Sequence, residues 1–345
     1  PADGFPQAGL FQTPVDIEIG TAAGTRIERV IIEPKEEQSF NFTVDGEPLL
    51  VNFDHGDTLI KELTFTKPVD VLIYQLTHDE DVMGRNWAMG QLAKRWNDRS
   101  TVASEKEQIA TALAGSLKQD KFWGMRVDAA AALDGVHGSA VRMALLAALK
   151  DPDAHVRTRA IETLSASKDA TLASTYESLL RDQSYAVITA AAKALGETKD
   201  PGAFDQLSKL IDSSSWRDTI RNAGLTGLAG LGDPRSLDIA IKYSAESYSS
   251  TTRAAAITLL GAAGKKDPRA FSLISAALIK YASPLNFNIA TASARALVEL
   301  GDQRGVAVFE QVLPLLDSPR AKRLVMQLEQ QLKDKASGAK PANTN

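Results

Sequence analysis

A nine-residue pattern recurs along the chain, and its spacing constrains the fold more than any other feature of the sequence. Every copy closes on a leucine, and these are Leu133, Leu164, Leu195, Leu228, Leu260 and Leu297. The steps between them are 31, 31, 33, 32 and 37 residues. A period of this size is typical of proteins built from stacked helical hairpins. A degenerate copy ending at Leu92 precedes the series.

Each copy is followed by a helix break and a second apolar segment. The breaks contain Asp next to Pro or Gly, as in Asp200-Pro201, Asp233-Pro234, Asp267-Pro268 and Gly301-Asp302. Asp can cap the following helix and Pro fits its first turn. Two short helices per repeat cannot bury their apolar faces alone, so they must stack on neighbouring repeats. The pattern resembles HEAT repeats, which implies a right-handed α-α superhelix over residues 68–335.

Residues 1–67 have a different texture, in which apolar and polar side chains alternate. Val15, Ile17 and Ile19 lie on one face of a predicted strand, and a turn follows at residues 21–24. Further strands are predicted at residues 27–32, 40–44, 49–53 and 59–66, with turn signals every 8–12 residues. Five short strands without an intervening helix predict a small antiparallel β-sandwich. The fold class is therefore multidomain, β then α.

Charge supports the same division. Residues 1–67 carry 12 acidic and 5 basic side chains, a net charge of −7, against −4 for the whole chain and therefore +3 for the remainder. The acidic balance argues against a nucleic-acid partner, and no apolar run reaches the 18 residues of a membrane span. The absence of cysteine excludes disulfides and thiolate metal sites. The predicted domains are residues 1–67 and 68–335, with a polar capping helix at 320–335 and a disordered tail at 336–345.

A resemblance joins the two parts. Residues 5–92 are similar to the region that follows the catalytic domain in aminopeptidase-N-like zinc metallopeptidases. It is carried by Gly9-Leu10-Phe11-Gln12-Thr13-Pro14-Val15, Val51-Asn52-Phe53-Asp54, Lys61-Glu62-Leu63-Thr64-Phe65 and Tyr74-Gln75-Leu76, with Asp79, Asp81, Val82, Gly84 and Arg85. The resemblance implies a β-sandwich followed by a helical superhelix. The first residue, Pro1 rather than Met, suggests a processed or excised chain.

The zinc chemistry of that family is missing from this sequence. Its His-Glu-x-x-His signature and its Gly-x-Met-Glu-Asn segment are absent. Zinc hydrolysis needs two histidines one helical turn apart, and none of His55, His78, His137 and His155 has another histidine within four residues. The resemblance thus implies a non-catalytic C-terminal region without a cofactor. Its partners would be an upstream catalytic domain that holds the zinc and the peptides whose access it gates, with no nucleic acid and no membrane.

Other side chains have both a functional and a structural interpretation. Asp153 with Arg157, Asp218 with Arg221, and Asp81 with Arg85 form either a basic ladder that grasps carboxylates or a helix cap with an ion pair, and the spacing favours the second. Trp87 falls on an apolar helix face, whereas Trp216 is the better candidate for a surface anchor. The remaining aromatic candidates are Trp96, Trp123, Tyr243, Tyr248 and Tyr281. The glycines of 227–232 follow a helix and predict a C-cap, not a phosphate loop.

A second class of function remains open from the sequence. Solenoids bind partners over extended curved surfaces, and fold alone does not determine function. The chain would then be a stand-alone HEAT-repeat interaction scaffold without enzymatic activity. A lyase built on HEAT repeats is a third interpretation that no residue supports. The upstream reading frame discriminates between the first two, because only the peptidase requires a zinc motif there.

Overall fold

A computed structural model describes residues 11–282 and 287–337. Within these ranges the chain forms three β-strands followed by sixteen α-helices. No helix in the described part is both long and apolar enough to span a bilayer. Most of the predicted tail, residues 338–345, and the motif residues Gly9 and Leu10 lie outside the described residues.

The strands form one antiparallel sheet in the order β2-β1-β3. β1 (Thr13–Thr21) and β2 (Gly24–Ile32) make a hairpin, and β3 (Leu50–Phe53) pairs with the other edge of β1. Val15, Ile17 and Ile19 project from β1 into a small core, as their alternation predicted. Three of the five predicted strands are therefore confirmed.

The strands predicted at 40–44 and 59–66 were wrong, because these segments are irregular. Phe42, Val44 and Leu59 do pack against the core of β1, so the alternation correctly marked the buried side. The backbone at the start of the second segment bonds a side chain instead of a neighbouring strand. The Asp54 carboxylate accepts the amide protons of Thr58 and Leu59 at 3.2 and 2.9 Å, which holds the start of the second segment in a loop.

Contacts between Cα atoms divide the chain into two compact units. The first unit ends at Thr163 and the second begins at Leu164. The predicted domain boundaries after residues 67 and 335 stay predictions. The helices of the first unit, the last of which runs across the division, are α1 (Val69–His78), α2 (Val82–Asn97), α3 (Ala103–Gln119), α4 (Trp123–Ala132), α5 (Ser139–Ala148) and α6 (Ala154–Ser165).

The described residues of the second unit form ten α-helices. They are α7 (Ala173–Leu179), α8 (Tyr185–Glu197), α9 (Ala203–Ile211), α10 (Thr219–Leu231), α11 (Leu237–Tyr243), α12 (Ser250–Ala263), α13 (Pro268–Lys280), α14 (Phe287–Leu300), α15 (Gly305–Val312) and α16 (Pro319–Ser337). Here α8, α10, α12, α14 and α16 pack one on the next, and α7, α9, α11, α13 and α15 cover them. In the first unit α1, α3 and α5 form one row, and α2 packs on α4. Two helices per repeat are thus confirmed; the right-handed superhelix stays a prediction.

The repeats owe their regularity to caps and small residues. The carboxylates of Asp200, Asp233, Asp267 and Asp302 each accept the backbone N–H two residues later at 2.9 to 3.0 Å, as the Asp-Pro breaks predicted. Where α8 crosses α10, a Cβ on Gly196 would lie 2.0 Å from the carbonyl oxygen of Gly227. Only glycine permits this approach.

Candidate functional site

Several of the residues that carry the family resemblance, between Asn52 and Arg85, come together where β3 meets α1 and α2. Their polar side chains are buried: Asn52, Asp54, Gln75 and Asp79 are between 0 and 7% exposed. Glu18, from the middle of β1, is 3% exposed and belongs to the same cluster. Buried polar groups of this density must satisfy one another. We call this set, with His55, Lys67 and Asp81, the junction cluster.

Asp79 lies at the centre of the junction cluster. Its Oδ1 accepts the backbone N–H of Asp81 at 2.8 Å, and its Oδ2 accepts Gln75 Nε2 at 3.2 Å. Gln75 Nε2 also donates to the carbonyl of Gly84 at 3.2 Å, which ties α1 to α2. Burial raises the pKa of Asp79 to about 6, and the Glu18 and Asp81 charges act in the same direction.

Histidine 55 sits between two carboxylates. Its Nδ1 is 3.1 Å from Glu18 Oε2 and 3.9 Å from Asp81 Oδ2. Burial opposes the charged imidazolium, but the bond to Glu18 and the charges of Asp81 and Asp79 outweigh it and raise the pKa of His55. Asp81 also accepts the backbone N–H groups of Gly56 and Met83, so it caps α2 and fixes the loop after β3. His55 is therefore a link between the sheet and α2.

Lys67 is the cation of the junction cluster. Its Nζ donates to the carbonyl of Val51 and to Gln75 Oε1, and lies 4.6 and 4.7 Å from the ring centroids of Phe65 and Trp87. Burial lowers the pKa of Lys67 to about 8, against the favourable charges of Asp79 and Glu18. These contacts join the chain before α1 to β3 and α2.

Asp54 closes the cluster on the solvent side. It has φ of 59°, the left-handed region, and its carboxylate accepts Lys61 Nζ at 2.6 Å and Thr58 Oγ1 at 2.6 Å. Burial disfavours the charge, but the bonds from Lys61, Thr58 and Leu59 outweigh it and lower the pKa of Asp54 to about 2. Every resemblance residue at this junction thus makes a structural contact.

Titration of Asp79 gives a testable pH dependence. Its pKa is raised from 3.8 to about 6 in the folded chain, so its contribution to stability is present below about pH 4 and is lost as the pH rises through 6. We expect Asp79→Asn to gain stability relative to the wild type by about 1 to 2 kcal/mol between pH 4 and pH 7. Urea unfolding of both proteins across this pH range measures the difference in their free energies of unfolding. A difference that does not change with pH would contradict the raised pKa of Asp79.

An open groove of about 970 Å³ runs beside the junction cluster. Its walls include Leu63, Phe65, Lys67, Asp70, Lys94 and Arg95. The charges are mixed and the groove is wide, so it offers a polar surface for an extended chain and not a closed catalytic pocket.

The histidines do not assemble a metal site. His55 bonds Glu18, His78 stacks on Tyr74 at 4.2 Å between ring centroids, and His155 stacks on Trp123 at 4.8 Å. The described part of the chain contains no group of three His, Asp or Glu side chains placed to hold a metal ion.

The arginines at the starts of the repeat helices form a ladder in the first unit. Arg85 Nε and Nη2 donate to both carboxylate oxygens of Asp120 at 2.9 and 3.1 Å, and Arg126 does the same to Asp151 at 2.8 and 2.9 Å. Arg126 Nη1 also donates to the carbonyl of Asp120 at 2.9 Å, and Arg157 Nη1 to that of Asp151 at 2.8 Å. Arg85 and Arg126 therefore each link one repeat to the next, and Arg157 bonds the turn that precedes its own helix.

The predicted pairs are only partly present. Asp153 and Asp81 cap their helices, since each accepts a backbone N–H two residues later, from His155 and Met83. Asp218 and Arg221 form the predicted ion pair. The partners Asp120 and Asp151 were missed, because they lie 35 and 25 residues from their arginines. With these arginines bonded inside the fold, the ladder holds the repeats together and is not arranged to grasp a ligand.

In the second unit two of the arginines at helix starts also lie against tyrosine rings. The guanidinium of Arg221 lies 5.6 Å from the ring centroid of Tyr243, and that of Arg253 lies 4.7 Å from Tyr281. Tyr248 packs on Tyr243 at 4.7 Å. These three tyrosines are therefore occupied in packing between helices.

The four tryptophans differ in exposure, and for two of them, Trp87 and Trp216, the difference agrees with the prediction from the sequence. Trp87 is partly buried against Phe65, and Trp96 has Lys106 over its ring. Trp216 is 77% exposed, on a turn where Arg217 and Asp218 both have positive φ. Trp123 is 41% exposed and packs between Phe122 and His155. Of the four tryptophans, Trp216 and Trp123 are therefore the exposed ones.

Comparison with known proteins identifies the helical repeats. A family model for HEAT repeats matches residues 172–261, and no curated protein matches the sequence. Importin beta aligns with a TM-score of 0.50 at 14% identity, over 79% of this chain and 42% of that chain. Aminopeptidase A from Legionella pneumophila aligns with a TM-score of 0.46 at 12% identity, over 94% of this chain and 46% of that chain.

A third solved structure, the CpcE–CpcF complex of phycocyanin lyase from a Nostoc species, aligns with a TM-score of 0.46 at 20% identity, over 80% of this chain and 98% of that chain. At these identities the likenesses concern the fold alone. The chain spans less than half the length of the importin beta and aminopeptidase chains that it matches.

Proposed function

We propose that this chain is the non-catalytic C-terminal region of an aminopeptidase-N-like zinc metallopeptidase. In that role it shields the active site of an upstream catalytic domain and gates the access of peptides. The observation that carries the proposal is the convergence of the resemblance residues on the junction cluster. Asn52, Gln75, Asp79 and Gly84 meet there in one set of mutual contacts.

This convergence supports the proposal because the junction is particular to the architecture. Helical repeats of many functions share alanine-rich faces and Asp caps. A small sheet that continues into such repeats through a buried polar cluster is a much more specific arrangement. A Cβ on Gly84 would lie 2.0 Å from Asp79 Oδ2, so the glycine of the resemblance is required by the junction itself.

The helical repeats supply the gating in this proposal. Stacked hairpins form an extended surface that a peptide can follow and that a folded protein cannot enter. As in the family, the repeats form a right-handed superhelix. The net charge of +3 on residues 68–345 attracts the carboxylate end of a peptide, an effect that salt weakens.

The product of the full reading frame tests this function. We expect it to cleave a short peptide in a zinc-dependent way, and to cleave a folded protein with the same N-terminal residue at least 100-fold more slowly in kcat/KM, about 3 kcal/mol in barrier height. A chelator should abolish both activities. Equal cleavage of the folded protein would contradict gating, and an upstream frame without His-Glu-x-x-His would contradict the peptidase itself.

A stand-alone interaction scaffold is the second candidate. The observation that favours it is one exposed tryptophan at a helix start in each unit, Trp123 at 41% and Trp216 at 77% exposure. Exposed aromatic side chains are frequent anchors of protein interfaces. A start codon immediately upstream of Pro1 would select this candidate over the peptidase.

A further inference from the structure

An apolar cavity lies among α13, α14, α15 and α16, in the second unit. Its volume is about 210 Å³. The walls are aliphatic side chains of all four helices and of the segment between α15 and α16, among them Leu278, Ala290, Ala294, Val312, Leu316 and Val325. The cavity is far along the chain from the junction cluster and takes no part in the function proposed above.

The walls leave this space because they are small. Ala290 and Ala294 on α14 and Ala321 on α16 face it with methyl groups only, and none of the described residues that line it is aromatic. An apolar cavity of about 150 Å³ is known to stay free of water and to bind benzene. A space of about 210 Å³ therefore accommodates a substituted six-membered ring.

One polar atom in the wall lacks a partner. Thr291 lines the cavity, and its Oγ1 is buried without a hydrogen bond to any residue that the structure describes. A buried hydroxyl without a partner is unfavourable. A ligand with a hydroxyl group would satisfy Thr291 and fill the apolar space at the same time.

The remaining polar wall residues exclude anions. Asp317 lines the cavity and brings a negative charge to it. Ser318, its neighbour, is already used, because its Oγ accepts the backbone N–H of Ala321 at 3.4 Å at the start of α16. A carboxylate ligand would meet the charge of Asp317 and no basic wall residue.

We propose that this cavity is a binding site for a small neutral molecule that has an apolar ring and one hydroxyl group. The ring lies against Ala290, Ala294 and Val325, and the hydroxyl bonds Thr291 Oγ1. Three probes of the same shape separate these contributions: toluene, 4-methylphenol and 4-methylbenzoate.

Binding of the three probes to the full chain is measured by NMR titration. We expect 4-methylphenol to bind with a Kd below about 1 mM. Toluene, which lacks the hydroxyl, should bind about 3- to 10-fold more weakly, as for the loss of one hydrogen bond. 4-Methylbenzoate should bind at least about 10-fold more weakly than 4-methylphenol, because burying a carboxylate without a partner is costly.

Two variants locate the site. Thr291→Val keeps the shape of the side chain and should remove the preference for 4-methylphenol over toluene. Ala294→Leu should fill the cavity and abolish binding of both. Ala276→Leu, at an exposed alanine of α13, is the matched control and should leave both affinities unchanged.

Several results would overturn the proposal. They are the absence of binding by all three probes, binding of 4-methylbenzoate as tight as that of 4-methylphenol, and a phenol preference that survives Thr291→Val. If Ala294→Leu fails to fold, Thr291→Val decides the question alone.

Discussion

Replacing Arg126 by methionine is expected to lower the free energy of unfolding of the first unit by about 3 to 5 kcal/mol. Arg126 and Asp151 are 13 and 9% exposed, and the substitution leaves the Asp151 carboxylate without its two guanidinium bonds. It also removes the donor to the carbonyl of Asp120, the residue whose carboxylate binds Arg85. Methionine retains the length and the apolar stem of arginine, so the loss reports on the charge and the hydrogen bonds.

Hydrogen exchange of the amides of α4 and α5 in urea measures this effect, because it reports on the first unit alone. Arg95→Met is the control: Arg95 pairs with Glu105 at 3.5 Å, the two side chains are 46 and 34% exposed, and the loss should stay below about 1 kcal/mol. Arg126→Lys keeps the charge but not the two parallel hydrogen bonds. Its loss of unfolding free energy should lie between those of Arg126→Met and Arg95→Met. If Arg126→Met costs no more than Arg95→Met, the ladder does not hold the repeats together.

Gly84→Ala is expected to destabilise the first unit by about 2 to 4 kcal/mol. The added methyl would lie 2.0 Å from Asp79 Oδ2 and 2.8 Å from Asn52 Nδ2, so α2 must move away from β3 or the Asp79 carboxylate must leave its partners. The first change breaks the hydrogen bond from Gln75 to the carbonyl of Gly84, and the second breaks the one from Gln75 to Asp79. This cost exceeds the gain in helix propensity from alanine, about 1 kcal/mol.

Gly90→Ala provides the matched control on the same helix. A Cβ at Gly90 meets nothing within 4 Å, so alanine there should stabilise the unit by about 0.5 to 1 kcal/mol. The two variants are compared by urea unfolding monitored through exchange of the α2 amides. The two changes in unfolding free energy should have opposite signs. A neutral or stabilising Gly84→Ala would contradict the close contact between Gly84 and Asp79.

The sequence predicted those elements whose formation depends on local pattern. The recurring leucines and the Asp-Pro breaks placed the repeat helices, because a cap and an apolar stripe are properties of adjacent residues. β1 and β2 were predicted for the same reason, since they form a hairpin across a short turn. The segments 40–44 and 59–66 were misjudged because alternation reports which side chains are buried and not whether the backbone has a partner strand.

The site was predictable only where its contacts are short in sequence. Asp81 and Asp153 were correctly expected to cap helices. The partners of Arg85 and Arg126 are set by the stacking of repeats, which no helical spacing encodes. Lys67 and Glu18 gave no signal either, because a charged residue in a strand or loop is ordinarily exposed, and only the packing of α1 and α2 on the sheet buries them.

Hydrolysis of alanine 4-nitroanilide in the presence of zinc, measured for this chain and for the product of the full reading frame that encodes it, tests the proposed role most directly. The proposal predicts no zinc-dependent hydrolysis by the chain alone and rapid, chelator-sensitive hydrolysis by the longer product. Zinc-dependent turnover by the chain alone, or a longer product that is inactive and lacks the zinc motif, would contradict it.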